Sequence, residues 1–138
     1  MNGEKKDDPE ISDDDGLLRR LPNWPNMVKF DHNMQVERPS SAWFTDRSTS
    51  DREVSITLEK DLIDSGGTHQ DAVSSYPDFG LAVISTKTVR HEISPKQIVN
   101  KQPTDDDDFH GLVIGEKRKK TKTALAKKAN ILINPVFK

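Results

Sequence analysis

EVSITLEK, residues Glu53–Lys60, is the stretch on which the fold reading turns. Val54, Ile56 and Leu58 alternate with Ser55, Thr57 and Glu59. A period of two with β-branched residues describes a strand that presses one face on a core and leaves the other polar. One strand is never stable alone, so its partners must lie elsewhere in the chain.

Two apolar runs qualify as partners. FGLAVIS (Phe79–Ser85) and FHGLVIG (Phe109–Gly115) are short and continuous, the pattern of strands covered on both faces. KQIVNKQ (Lys96–Gln102) reads as a further strand at a sheet edge. Between them, KDLIDSGG is a helical turn stopped by Gly66 and Gly67, and DAVSSY is another before Pro77. In STKTVRHEIS, Ser85 or Thr86 caps about two helical turns with Val89 and Ile93 inward, and Pro95 ends them.

The last strand leads into GEKRKKTKTALAKK (Gly115–Lys128), in which seven of fourteen residues are Lys or Arg. Leu125, Ala129 and Leu132, at i, i+4 and i+7, predict a helix that runs on to Asn134-Pro135. The predicted class is α+β, with a small α/β fold as the variant. It has about four strands and two short helices packed on one face.

N-terminal to this region the signals weaken. LLRRL (Leu17–Leu21) reads as a helical turn ended by Pro22, and Pro22, Pro25 and Pro39 argue against a long helix or central strand. Residues 17–52 are expected to be irregular. Residues 1–16 hold seven acids, two bases and one large apolar residue, Ile11, and read as a disordered acidic tail. Residues 17–138 are then a single small domain.

Only 32% of the 138 residues are hydrophobic, and the mean hydropathy is −0.79. With no cysteine, disulfide scaffolds, thiol nucleophiles and cysteine-ligated zinc drop out. The opening MNGEKKDDPE lacks the apolar stretch of a signal peptide, and no apolar run approaches the ~20 residues that span a bilayer. The reading expects a cytoplasmic protein with no membrane partner and no cofactor. Net charge is −2, but residues 1–16 carry −5 and residues 116–138 carry +7. Ends of opposite sign attract, so the acidic end is a potential competitor for any anionic partner of the basic one.

Four places carry candidate chemistry. The basic helix is the first: Lys117, Arg118, Lys119, Lys120 and Lys127 are the candidate anion-binding residues, and clustered cations bind phosphates by releasing counterions. No aromatic residue is interleaved with them, so contacts to a nucleic-acid backbone are expected rather than base readout. The turn at Gly115 is the second, where free N–H groups at a helix start suit a phosphate. Three residues separate Gly111 from Gly115 and Glu116 follows, so it is not a P-loop.

His110, at a strand start, is a candidate acid/base, with Asp51 to orient it and Arg38 or Lys117 as an anion clamp. RPSSAWFTDRSTSDRE (Arg38–Glu53) is the fourth: Trp43 and Phe44 inside a polar loop predict that it docks on the sheet. No metal site is expected. The histidines are scattered, and the aspartates of TDDDDFH lack the spacing of a calcium loop.

The leading functional expectation is a non-catalytic binding module whose basic helix meets a nucleic-acid backbone or an acidic protein surface. The alternatives are a small nucleotide- or phosphodiester-processing enzyme using His110, and a protein-interaction subunit of a larger complex.

Overall fold

The computed structural model describes residues 5–45 and 52–137. It overturns the α+β expectation of about four strands under two helices: eight strands dominate, and the helices are short. In chain order they are β1 (Gly16–Leu21), β2 (Val28–Asp31), β3 (Val36–Pro39), β4 (Glu53–Leu58), helix α1 (Glu59–Asp64), β5 (Gly80–Ser85), β6 (Ile98–Lys101), β7 (His110–Ile114), helix α2 (Lys119–Lys128) and β8 (Asn130–Ile133). Single helical turns occupy Ser41–Phe44, His69–Val73 and Thr88–Glu92. Six strands form one antiparallel sheet in the order β6-β7-β4-β1-β5-β8, and β2 pairs with β3 as a separate hairpin.

The four strands legible in the sequence are β4, β5, β6 and β7, with β6 at an edge. Two more strands of this sheet were hidden, as was the β2–β3 hairpin inside the region expected to be irregular. LLRRL is not a helical turn but β1, in the middle of the sheet. Its alternation is masked because Arg19 occupies the position between Leu17 and Leu21, which pack in the main core. The second correction concerns the basic helix, which stops at Lys128. Ala129 is extended (ψ 152°), and ILI continues as β8 along β5. The open edge of β5 offers a ladder of backbone partners to a β-branched segment, and this outweighs helical periodicity.

The main core lies on the face covered by α2 and the Ser41–Phe44 turn. Leu17, Leu21, Val54, Ile56, Ile84, Val113, Trp43, Phe44 and Leu125 meet there. A smaller cluster of Leu18, Leu62, Val73 and Leu81 lies under α1 and the 69–73 turn. Val89 and Ile93 are buried inward as expected, although the segment makes one wide turn rather than two helical ones.

Residues 5–15 are drawn along β6 and the 88–92 turn. Asp8 N–H donates to the Val99 carbonyl (2.8 Å), and Ile11 is only 2% exposed. Arg90 fastens the segment, donating to the Ile11 and Asp8 carbonyls (2.7 and 2.9 Å) and pairing with Asp7 and Asp13. None of these acids pairs with a lysine of α2 among the described residues.

Candidate functional site

Two surfaces remain as candidates: the outer face of α2 and a cavity beside His110.

Helix α2 is set down by its apolar and small residues. Thr121, Leu125 and Ala126 are buried, and Thr121 bridges the helix start by donating to the Ser94 carbonyl while accepting from Arg118 N–H. At about 100° per residue, Thr121, Leu125 and Ala126 span one side of the helix. Lys119, Thr123, Lys127, Lys120 and Lys128 follow one another around the other. Lys119, Lys120, Lys127 and Lys128 are exposed. Lys128 is 3.6 Å from Glu92, and Arg118 pairs with Glu116 at 3.0 Å. The Arg118 bond holds the Glu116 carboxyl below its ordinary range. The Thr88 hydroxyl does the same for Glu92, with the charge of Lys128 adding to it. Lys119, Lys120 and Lys127 have no ionic partner among the described residues.

Lys117 does not share this surface. It is 9% exposed, and its ammonium donates to the carbonyls of Arg52, Val113 and Gly115 at 3.0–3.1 Å. A compact cation with three donors holds the strand-to-helix turn from inside. The Gly115 N–H is likewise spent, on the Arg52 carbonyl at 2.9 Å, so it is not open to a phosphate. Gly115 itself is required by its φ of 151° and by the Gln97 side chain packed where a Cβ would stand.

The cavity follows from a fork in the sheet. β1 pairs with β5 along all six of its residues but with β4 only at Leu17↔Leu58 and Leu18↔Thr57. Beyond Leu18 the two strands part. Arg19 fills the gap on the core side, donating to the carbonyls of Trp43, Ser55 and Thr45 at 2.8, 2.7 and 2.9 Å. Trp43 returns a bond from its indole N–H to the Arg19 carbonyl at 3.3 Å. Ser40 caps the Ser41–Phe44 turn that carries Trp43 and Phe44 into the core, as expected of a docking loop; residues 46–51 of that loop lie outside the described residues.

A cavity of about 690 Å³ opens at the fork, within the ~300–1,000 Å³ of small-molecule sites. His110 is in its wall. Its Nδ1 lies 2.8 Å from the Gln102 carbonyl, which can only accept, so Nδ1 carries the hydrogen. In the neutral ring, Nε2 then accepts from the Ser55 hydroxyl at 3.0 Å. Ser55 escaped the sequence reading. Its only signal was position, since it occupies the polar face of the alternating strand.

Of the other candidates for a catalytic set, Arg38 does not join His110. Arg38, on β3, donates to Asp31 Oδ2 (3.1 Å) and to the Pro39 carbonyl, and it does not line the cavity. Asp51 lies outside the described residues. The side of Arg20 meets Tyr76 at the same cavity, its guanidinium 4.0 Å from the ring centre.

No group of three His, Cys, Asp or Glu side chains able to hold a metal ion occurs among the described residues, and no helix there is long and apolar enough to cross a membrane. No family model, curated protein or solved structure matches the chain.

Proposed function

We propose that the protein binds an anionic polymer, a nucleic-acid backbone, through the outer face of α2. One observation carries this: Lys119, Lys120 and Lys127 stand exposed with no ionic partner among the described residues, while Thr121, Leu125 and Ala126 pack the helix down. Arg118 and Lys128 flank them, each already leaning on one acid. Cations in such a row displace condensed counterions from phosphates, which makes affinity steeply salt-dependent.

The test is binding to a labelled mixed-sequence oligonucleotide across a salt series. About three to four phosphate contacts predict a log–log slope near −3. Replacing Lys119, Lys120 and Lys127 together by Glu abolishes the binding. Salt-insensitive binding, or binding that survives the triple change, defeats the proposal. Binding only to an acidic protein would move the partner to that class.

A catalytic reading has one observation in its favour, the Ser55–His110 bond in a cavity wall. A histidine oriented by a carbonyl and facing a hydroxyl has the atoms to activate a nucleophile. Covalent labelling of Ser55 by a fluorophosphonate, lost in His110→Ala, supports it; no labelling removes it.

A further inference from the structure

We infer that the fork cavity between β1 and β4 is a binding site for an unstacked nucleobase that carries an exocyclic amino group. The inference rests on the reading of α2 only for its source of such bases, the single-stranded form of the same polymer.

The cavity is lined by aromatic side chains, among them Trp24 and Tyr76, and by the polar groups of Ser55, Asp107 and His110. Trp24 projects from the turn between β1 and β2 and remains 55% exposed, whereas Trp43, the other tryptophan, is 2% exposed in the core. An exposed indole face at a cavity mouth is a stacking platform, and every base has a π-face to offer it. Tyr76 forms the adjoining wall, and its own face is already taken by Arg20. The N–H groups of Arg20 make no hydrogen bond or ion pair among the described residues. Arg20 is therefore placed to receive the phosphate attached to a base inside.

The polar lining presents fixed hydrogen-bonding groups. His110 is locked by the Gln102 carbonyl and takes the hydroxyl hydrogen of Ser55, so the Ser55 oxygen faces the cavity as an acceptor. Asp107 lines the same space. One of its oxygens accepts from Phe109 N–H (2.9 Å), and the other has no partner among the described residues. Two acceptors in the lining select a base edge with donors. A carboxylate takes an exocyclic amino group, as in recognition of cytosine N4, so amino-bearing bases offer two hydrogens where uracil offers only its single ring N–H and binds more weakly.

The Ser41–Phe44 turn packs against α2 and also gives Ala42 and Trp43 to the cavity wall.

Trp24 supplies the assay. The full-length protein is titrated with AMP, GMP, CMP and UMP while indole fluorescence is followed. We expect saturable quenching by the amino-bearing nucleotides at up to millimolar concentration and binding of UMP about tenfold weaker. Trp24→Ala, at an exposed position, weakens CMP binding by at least about tenfold in calorimetry, the scale of one base–aromatic stack. Asp107→Asn brings CMP and UMP to similar affinity. No saturable signal with any of the four nucleotides overturns the inference. So does quenching that Trp24→Ala leaves in place, or CMP and UMP binding equally to the unaltered protein.

A mononucleotide has no run of phosphates for α2. If mononucleotides bind and the oligonucleotide shows no salt-dependent affinity, the cavity stands and the α2 reading falls; the reverse result separates them the other way.

Discussion

Arg19, on β1, donates to the main-chain carbonyl of Ser55, on β4, at 2.7 Å, at the level where the two strands have stopped pairing. A side chain has taken the place of a strand. Its donors satisfy the Ser55 carbonyl at the fork together with the Trp43 and Thr45 carbonyls of the docked 41–45 segment.

Arg19→Ala should therefore destabilise the fold more than its polar character suggests. Three acceptors lose a charged donor, and a loss of roughly 3 kcal/mol is expected in urea unfolding. Arg19→Lys should recover only part of it, because an ammonium cannot reproduce the planar fork of donors. A change within about 0.5 kcal/mol for Arg19→Ala, the ordinary effect of a surface substitution, would mean the carbonyls find water instead.

Lys117 and Lys120 are neighbours in a basic run with opposite duties. Lys117→Met removes the cation bound to three carbonyls and should cost about 2–3 kcal/mol of stability while leaving oligonucleotide affinity unchanged. Lys120→Ala should leave stability within about 0.5 kcal/mol and weaken binding at low salt. Melting curves and a salt titration on both variants check the pair; the opposite pattern would invert the assignment of the two side chains.

The segment 5–15 is fastened by the Arg90 guanidinium, by buried Ile11 and by main-chain bonds such as Asp8 N–H to the Val99 carbonyl, Thr86 N–H to the Asp15 carbonyl and Lys87 N–H to the Asp13 carbonyl. Ile11→Ala should cost about 2–4 kcal/mol, since the site is almost fully enclosed. Arg90→Ala should release the segment and expose it to limited proteolysis ahead of the sheet. Equal protease resistance in Arg90→Ala would show that Ile11 and the Asp8–Val99 bond suffice.

Acid should loosen the same contact. The hydrogen bond from Arg90 holds the Asp13 carboxyl below its ordinary 3.8, helped by the charge of His91 and opposed by burial. The folded state thus binds this proton less readily than the unfolded one. The stabilisation is complete above the unfolded value and is lost as pH falls through and below 3.8. Asp31, held down by the Met34 and Asn33 N–H groups and by Arg38, acts in the same direction. Urea midpoints should fall between pH 5 and pH 3, and Asp13→Asn should make that fall shallower.

Much of the sheet was legible because a period of two or a continuous apolar run is written locally. EVSITL, GLAVIS, IVNK and HGLVI announce themselves, as do the inward Val89 and Ile93 and the docking of Trp43 and Phe44. LLRRL did not, because an arginine stands where alternation asks for an apolar residue, and only the distant carbonyls of Trp43, Thr45 and Ser55 make that position tolerable. ANILI read as helix because periodicity cannot register a vacant sheet edge one strand away.

The candidate sites divide along the same line. The sequence alone determined that the C-terminal region is strongly basic, that Leu125 faces inward, and that no thiol chemistry is possible, since these depend on composition and on neighbours three or four residues away. Only the tertiary structure decided that Lys117 is buried while Lys119, Lys120 and Lys127 are exposed. It also brought Ser55 to His110 across 55 positions of chain. Contacts of that kind are made by strand register and by a fork in the sheet, and no local pattern of residues encodes where two strands part.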